Sequence, residues 1–352
     1  MKLGVFTLSA LAVAGPACGQ ALFFADVFFP TSGDGNVQRV SASGQGLQPL
    51  VPTGPGVRSV AVDAAGGKVY WCDADNFKIS RANLDGSSAQ DIITTGLAFP
   101  SAIALDTVHG KIYWGDQSSE EIWRANLDGQ GAEMVLPTPF HRGLAIDAAN
   151  NRMYWTTSRT VTGGDIWRAT LDGADAQVVV NGQQSFKPAV VAIDVARNRM
   201  FFTDYVTKTL KRSALDGSGV VTLYTDSFGY SPRGLAVDPS NGDVYWGHDI
   251  NDEPIQGEIQ IAVGGQASFT QVVGGLGQVL SIAFVAQGPA PCYANCDGST
   301  SVPVLNVNDF TCFLNRYAAG ESYANCDGSS GNPVLNVNDF ICYLNVYAAG
   351  CS

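Results

Sequence analysis

Charged side chains are scarce in this chain, and cations are the scarcer sign. Asp, Glu, Lys and Arg make up 15% of 352 residues, with 20 Lys+Arg against 32 Asp+Glu and a net charge of −12. An average globular chain carries about 25%. A nucleic-acid binder needs a basic footprint, so that class is excluded. There is no charge-rich heptad for a coiled coil, and 45% hydrophobic residues exclude a disordered chain. Histidine is nearly missing: His109, His141 and His248 are the three, and none has metal-ligand spacing. Neither GxSxG nor CxxC occurs, and no stretch approaches the ~18 apolar residues of a transmembrane helix. What is abundant is turn-forming and aromatic: 40 Gly, 16 Pro and 10% Phe, Trp and Tyr. Many short strands joined by tight turns follow, and the expected fold class is all-β.

The N-terminus reads as an export signal over residues 1–21. Lys2 precedes an apolar run from Leu3 to Ala14, Pro16 breaks it, and small residues Ala17, Gly19 and Ala21 suit a signal peptidase. The expectation is a secreted protein, extracellular or in the cell envelope. Cys18 leaves with the signal. Cys72 then stands alone as a small buried hydrophobe, and six cysteines cluster at the C-terminus, where an oxidising compartment makes them a disulfide framework.

Internal repeats organise residues 22–286. LFFAD (22–26), VYWCD (69–73), IYWGD (112–116), MYWTT (153–157), MFFTD (200–204) and VYWGH (244–248) recur at spacings of 41 to 47. VAVD (60–63), IALD (103–106), LAID (144–147), VAID (191–194) and LAVD (235–238) precede the last five. RANLDG (81–86), RANLDG (124–129), RATLDG (168–173) and RSALDG (212–217) follow four of them. Several short strands per period of this length predict a β-propeller.

Each motif has a physical reading. The VAVD-type runs are continuous and apolar, as the buried strand nearest the axis should be. In VYWCD, Val69, Trp71 and Asp73 face one way and Tyr70 and Cys72 the other, so the strand is buried on both faces between blades. Asp-Gly pairs at 85–86, 128–129, 172–173 and 216–217 supply the positive φ angles of a two-residue hairpin. The first unit lacks an inner strand. LSIAFV (280–285) matches it, so the last strand is expected to pair with the first aromatic strand and close the ring.

The repeats resemble the YWTD repeats of the low-density-lipoprotein-receptor class B family. The resemblance implies a six-bladed propeller that binds proteins or positions other modules and is not usually catalytic. Thr157 and His248 stand where the motif has Asp, and Cys72, Gly115 and Gly247 where it has Thr, which is expected to weaken individual blade contacts.

After a stiff linker at 287–291 comes a second repeat over 292–352, in which residues 293–320 recur as 323–350. Phe310, Phe313, Leu314 and Tyr317 fall at i, i+3, i+4 and i+7, as do Phe340, Tyr343, Leu344 and Tyr347. Each predicts an amphipathic helix of about two turns, with Asp309 or Asp339 capping its start. The pair resembles tandem dockerin-like or EF-hand-like calcium loops. The resemblance implies calcium ligands at Asn295, Asp297, Asn306 and Asp309, and at Asn325, Asp327, Asn336 and Asp339 in the second copy. Tyr293 and Tyr323 occupy the first ligand position, and seven residues separate Gly298 from Asn306 where the EF-hand has two. With two carboxylates per loop, binding would be weak. The alternative is that Asn and Asp make turns and caps. The repeat symmetry pairs Cys296 with Cys312, Cys326 with Cys342 and Cys292 with Cys351, one of 15 possible connectivities.

Candidate sites in the propeller are few. Asp63, Asp106, Asp147, Asp194 and Asp238 form either a carboxylate ring or, being once per blade, side chains that bond backbone at the inner hairpin. Five residues before each stand Arg58, Ser101, Arg142, Ala189 and Arg233, with Leu280 by the closure match. Arginine thus recurs in alternate blades at one channel mouth, beside His141. These cations either hold a carboxylate or sulfate or pair with neighbouring Asp. His141 is either a base or a partly exposed strand-end residue. The expected function is a secreted, monomeric, non-enzymatic binding protein, its propeller recognising a protein or glycan through the arginines and the loops at 74–78, 117–121, 205–209 and 249–257. Its tail would dock to an envelope or extracellular partner. The alternatives are a lactonase-like or hydrolase-like propeller enzyme, which needs a channel metal, and a dockerin-borne accessory to polysaccharide breakdown.

Overall fold

The computed structural model describes residues 20–27, 35–157, 163–182, 186–226, 231–249, 257–285 and 307–318. Its strands are β1 (Ala21–Val27), β2 (Gly35–Ser41), β3 (Gln48–Pro52), β4 (Val57–Asp63), β5 (Lys68–Asp73), β6 (Lys78–Asn83), β7 (Gln90–Ile93), β8 (Pro100–Asp106), β9 (Lys111–Asp116), β10 (Glu121–Asn126), β11 (Glu133–Pro137) and β12 (Phe140–Asp147). The series continues with β13 (Arg152–Thr157), β14 (Ile166–Ala169), β15 (Gln177–Val180), β16 (Pro188–Asp194), β17 (Arg199–Asp204), β18 (Thr209–Ser213), β19 (Val221–Thr225), β20 (Ser231–Val237), β21 (Val244–Asp249), β22 (Gly257–Ala262), β23 (Phe269–Leu276) and β24 (Gln278–Val285). They form six four-stranded sheets, each an antiparallel meander; the first is β24-β1-β2-β3. The innermost strands β24, β4, β8, β12, β16 and β20 touch one another in that cyclic order, which closes a six-bladed propeller. Closure occurs as expected: Leu22 pairs with Phe284 and Phe24 with Ile282.

The aromatic strand explains why the blades stack. Tyr70 and Cys72 of blade 2 pack with Ile103 and Trp114 of blade 3, while Trp71 packs with Phe23 and Val285 of blade 1. The same division holds around the ring, with Tyr113 against Trp155, Tyr154 against Phe202, Phe201 against Trp246 and Tyr245 against Ile282. Alternation in one strand thus supplies half of two different cores. Cys72 is a buried free thiol, and burial pushes its pKa up to about 12, so it behaves as a small apolar residue. The arginines of the RANLDG motif bond across blades: Arg81 Nη1 donates to Leu127 O (3.0 Å) and Arg124 Nη1 to Leu171 O (3.3 Å).

The repeated inner-strand aspartates bond backbone rather than forming a ring. Asp63, Asp106, Asp147, Asp194 and Asp238 each accept a backbone N–H two or three residues on, at 2.8–3.2 Å. The Asp-Gly turns differ from the expectation of two-residue hairpins. Asn83 N–H donates to Ser87 O and Gly86 N–H to Asn83 O, so the loop is three residues, and Gly86 alone of them has positive φ (84°). Asp85 instead accepts the Ser87 N–H at 2.9 Å, which fixes the turn from its side chain.

Neighbours fill the space or supply the bonds at three of the five departures from the motif. A Cβ at Gly115 would stand 2.1 Å from the Phe140 ring, so the glycine makes room for a phenylalanine of blade 4. A Cβ at Gly247 would stand 2.4 Å from Val279 Cβ. Thr157 accepts the Asp165 N–H at 3.1 Å in place of the missing carboxylate's bonds.

The C-terminal repeat contributes α1 (Val307–Ala318), which groups apart from Gln20–Ala286. It runs three turns rather than two and starts before Asp309, so Asp309 sits inside its first turn and is not its cap. Phe313 is fully buried, and its ring lies 6.0 Å from that of Tyr317. Cys312 is disulfide-bonded, to a partner outside the described residues. The expected positions Asn295, Asp297, Asn306, Asn325, Asp327, Asn336 and Asp339, and Cys292, Cys296, Cys326, Cys342 and Cys351, also lie outside them.

Asp26 at the ring closure is the odd member of the aromatic-strand aspartates. Asp116 accepts backbone N–H groups of Ala98, Phe99, Ser118 and Ser119. Asp26 is buried with Gln38 Nε2 at 2.5 Å, and desolvation outweighs the Gly277 N–H to push its carboxyl from 3.8 to about 7. A raised folded pKa means the native state holds the proton more tightly than the unfolded chain. The associated stability is present in full below pH ~4 and is lost as pH rises through about 7. Urea unfolding should show stability falling between pH 5 and 8 by on the order of 2–4 kcal/mol from this group. Asp26→Asn should flatten that slope and be the more stable protein at pH 8; an unchanged slope would remove Asp26 as its source.

Candidate ligand-binding site at the channel mouth

Every inner strand bulges at one place. In blade 2 the register jumps between Val57 and Ser59, leaving Arg58 extra; in blade 4 it jumps between Phe140 and Leu144, and in blade 6 between Pro232 and Leu235. Arg142 and Arg233 therefore lie in the same bulge as Arg58, as do Ser101, Ala189 and Leu280 in the other three blades. A bulge adds a residue to one strand and re-aims its side chain. Here it turns three arginines toward the axis.

The motif threonine serves this bulge. Thr156 Oγ1 accepts the N–H groups of Arg142 (3.3 Å) and Gly143 (2.9 Å) and donates to Ala189 O of the next blade (3.1 Å). Thr203 Oγ1 accepts the Val190 N–H at 3.2 Å. In blades without the threonine, inner-strand serines act across the interface: Ser59 Oγ accepts the Ile103 N–H and Ser281 Oγ the Val60 N–H. Close approach leaves no room for a side chain at Gly143, where a Cβ would stand 2.8 Å from Val191 N.

Together these strands enclose a cavity of about 190 Å³. Arg58, Arg142 and Arg233 line it, with the serines Ser59, Ser101 and Ser281 on its wall. Two residues deeper, Val60, Ile103, Leu144, Val191, Leu235 and Ile282, one from each blade, make an aliphatic floor. Among the described residues no carboxylate lines it. Arg58 reaches Asp75 at 3.4 Å and lies 5.7 Å from the Phe99 ring centre. Arg233 is 8% exposed, with its guanidinium 5.3 Å from the Tyr205 ring centre, above which Lys208 Nζ also sits at 4.0 Å. Arg142 is half-buried and makes no ion pair among the described residues. The structure thus brings together the three arginines that the sequence aligned, and pairs Arg58 with a nearby Asp. The side chains of His141 and His248 lie outside the described residues.

The turns after the aromatic strands flank this mouth, as the Arg58–Asp75 and Arg233–Tyr205 contacts establish. They expose Phe77 (51%), Tyr205 and Val206. Phe77 also has φ 51°, the left-handed region, at the turn position where Glu120 and Lys208 have the same conformation. A bulky residue there is strained by about 1–2 kcal/mol. The loop at 249–257 falls largely outside the described residues. Among the described residues no three His, Cys, Asp or Glu side chains group to hold a metal, and no helix is long and apolar enough to cross a membrane.

The profile of the low-density lipoprotein receptor repeat class B matches residues 67–107 and 198–239. Human low-density lipoprotein receptor-related protein 4 is 62% identical over 39 residues, 11% of this chain and 2% of that protein. Human low-density lipoprotein receptor-related protein 5-like protein is 28% identical over 188 residues, 53% of this chain and 56% of the relative. The chain therefore spans about half or less of these curated relatives. A chain in the crystal structure of a nidogen/laminin complex superposes with a TM-score of 0.64 at 18% identity, over 76% of this chain and 98% of that one. TolB from Acinetobacter baumannii superposes with a TM-score of 0.60 at 12% identity, over 75% and 66%. At such identities the two structures share the fold with this chain and no more. The molecule is a six-bladed β-propeller, two stretches of which match the low-density lipoprotein receptor repeat class B.

Proposed function

We propose that the chain is a secreted, non-catalytic binding protein whose channel-mouth face holds a protein or glycan. The observation that carries this reading is Phe77, an aromatic ring exposed at a strained backbone position beside the cationic cavity. The left-handed turn belongs to the fold, since Glu120 and Lys208 make it too, but the exposed ring does not, and exposed apolar surface costs stability. Aromatic and arginine side chains together are the usual anchors of a protein interface. The class B repeats and the fold shared with the nidogen/laminin complex support a protein as the occupant. The C-terminal repeat is the second binding element in this reading. Its dockerin-like loops would take calcium weakly and dock the molecule to an extracellular or envelope partner, with disulfides as staples.

The test uses the full chain as bait against envelope and supernatant fractions, with calcium and with chelator. A partner is expected that is retained in chelator and lost with Tyr205→Ser, and a second that is retained only in calcium. Identical capture by wild type and by variants at Phe77 and Tyr205 would count against the face. Phe77→Asn should moreover raise stability by about 0.5–1 kcal/mol in urea unfolding while weakening capture, because asparagine accepts the left-handed conformation.

A further inference from the structure

We propose that the arginine-rimmed cavity binds one compact oxyanion of two or more negative charges, a sulfate or a small polycarboxylate, free or as a group on a larger ligand. The inference deepens the binding reading above and rests on it for the choice of face.

Three observations converge on an anion. Three guanidinium groups share a cavity of about 190 Å³ with no carboxylate among its described lining residues, in a protein of net charge −12. Elsewhere in the propeller carboxylates stand close to some of the cations: Arg124 Nε meets Glu133 at 2.7 Å and Lys78 meets Asp91 at 3.2 Å. In the cavity, Arg142 has no ion pair among the described residues. Arg58 has one long contact, to Asp75, and its buried Nε lacks an acceptor among the described residues. Burying like charges together is unfavourable unless an opposite charge enters.

The spacing selects the size and charge of that occupant. The arginines come from blades 2, 4 and 6, while blades 1, 3 and 5 place Leu280, Ser101 and Ala189 at the same bulge. Three forks therefore converge from three sides, which suits a group with three or more acceptor oxygens. The hydroxyls of Ser59 and Ser281 on the wall lie 3.4 Å apart, and the one that accepts from the other adds a donor. The aliphatic floor offers no hydrogen bonds, so the anion stops at the arginine level, and only a short apolar portion can lie beneath it. The cavity is too small for a polymer chain to thread.

The experiment is thermal unfolding and calorimetric titration of the full-length protein with sodium sulfate and with tricarballylate, against sodium chloride at equal ionic strength. The expected result is a saturable rise in Tm beyond the chloride control, with one site by calorimetry. Arg142→Gln should weaken the affinity by about tenfold or more, the loss of one charged hydrogen-bonding partner. Arg142→Lys should retain part of it, because charge survives but the fork does not. No saturable binding by either probe, or equal binding by wild type and Arg142→Gln, overturns the proposal; the latter is the general stabilisation that sulfate gives any fold. Tricarballylate binding that leaves partner capture untouched assigns the site to a free acid, and displacement of the captured partner assigns the anion to that partner. Capture failing while the anion still binds would sink the reading of the face and leave this site standing.

Discussion

The aromatic strand is the constraint on which the molecule depends. Because Tyr70 and Trp71 point to opposite faces, blade 2 completes two cores and owns neither. No blade can bury its central strand alone, and each interface is intact only if both neighbours are present. Stability in such a ring is a matter of six shared interfaces rather than six independent sheets, and the β1–β24 pairing converts a row of blades into one cooperative body.

Position in the blade then determines what chemistry is available. Bonds from the motif threonines and inner-strand serines hold the inner strand in its bulged path, and the bulge selects which residues meet at the axis. The aliphatic residue three before each inner-strand Asp closes the channel, and the residue two before that sits at its rim. The scaffold is thus repeated six times, whereas the rim residue varies freely. Arg58, Arg142 and Arg233 occupy rim positions where the fold asks for nothing in particular, since Ser101, Ala189 and Leu280 fill the equivalent places without change of architecture.

Much of this was legible in the chain. Period-two alternation, the recurrence of the motifs and the displaced last strand specify blades, faces and closure, because each rests on a local rule applied many times. The alignment that brought the three arginines to one level rests on the same repetition. What escaped the sequence depends on relations between strands. A bulge is a mismatch in count between two partners, so the role of Thr156 as acceptor for its freed N–H groups had no local signature. Gly115 read as a lost contact because its compensation, Phe140, belongs to another blade and a different alignment position. The Asp-Gly turns read as two-residue loops because the pair is the strongest local signal, while the ladder bond from Asn83 to Ser87 sets the loop at three. The span of α1 exceeded its apolar stripe, since a stripe marks the buried face and not the ends.

Ring closure also orders events in time. β1 is made first and its partner β24 last, some 250 residues apart in the chain. Throughout synthesis of the intervening blades, the edge of β1 that will receive Ile282 and Phe284 has no partner, and neither does the core face around Phe24 and Tyr245. An unpaired strand edge beside an apolar face is a template for the wrong chain. The arrangement that makes the finished ring edgeless therefore concentrates its hazard in the nascent state, at a single seam that only the final strand can seal.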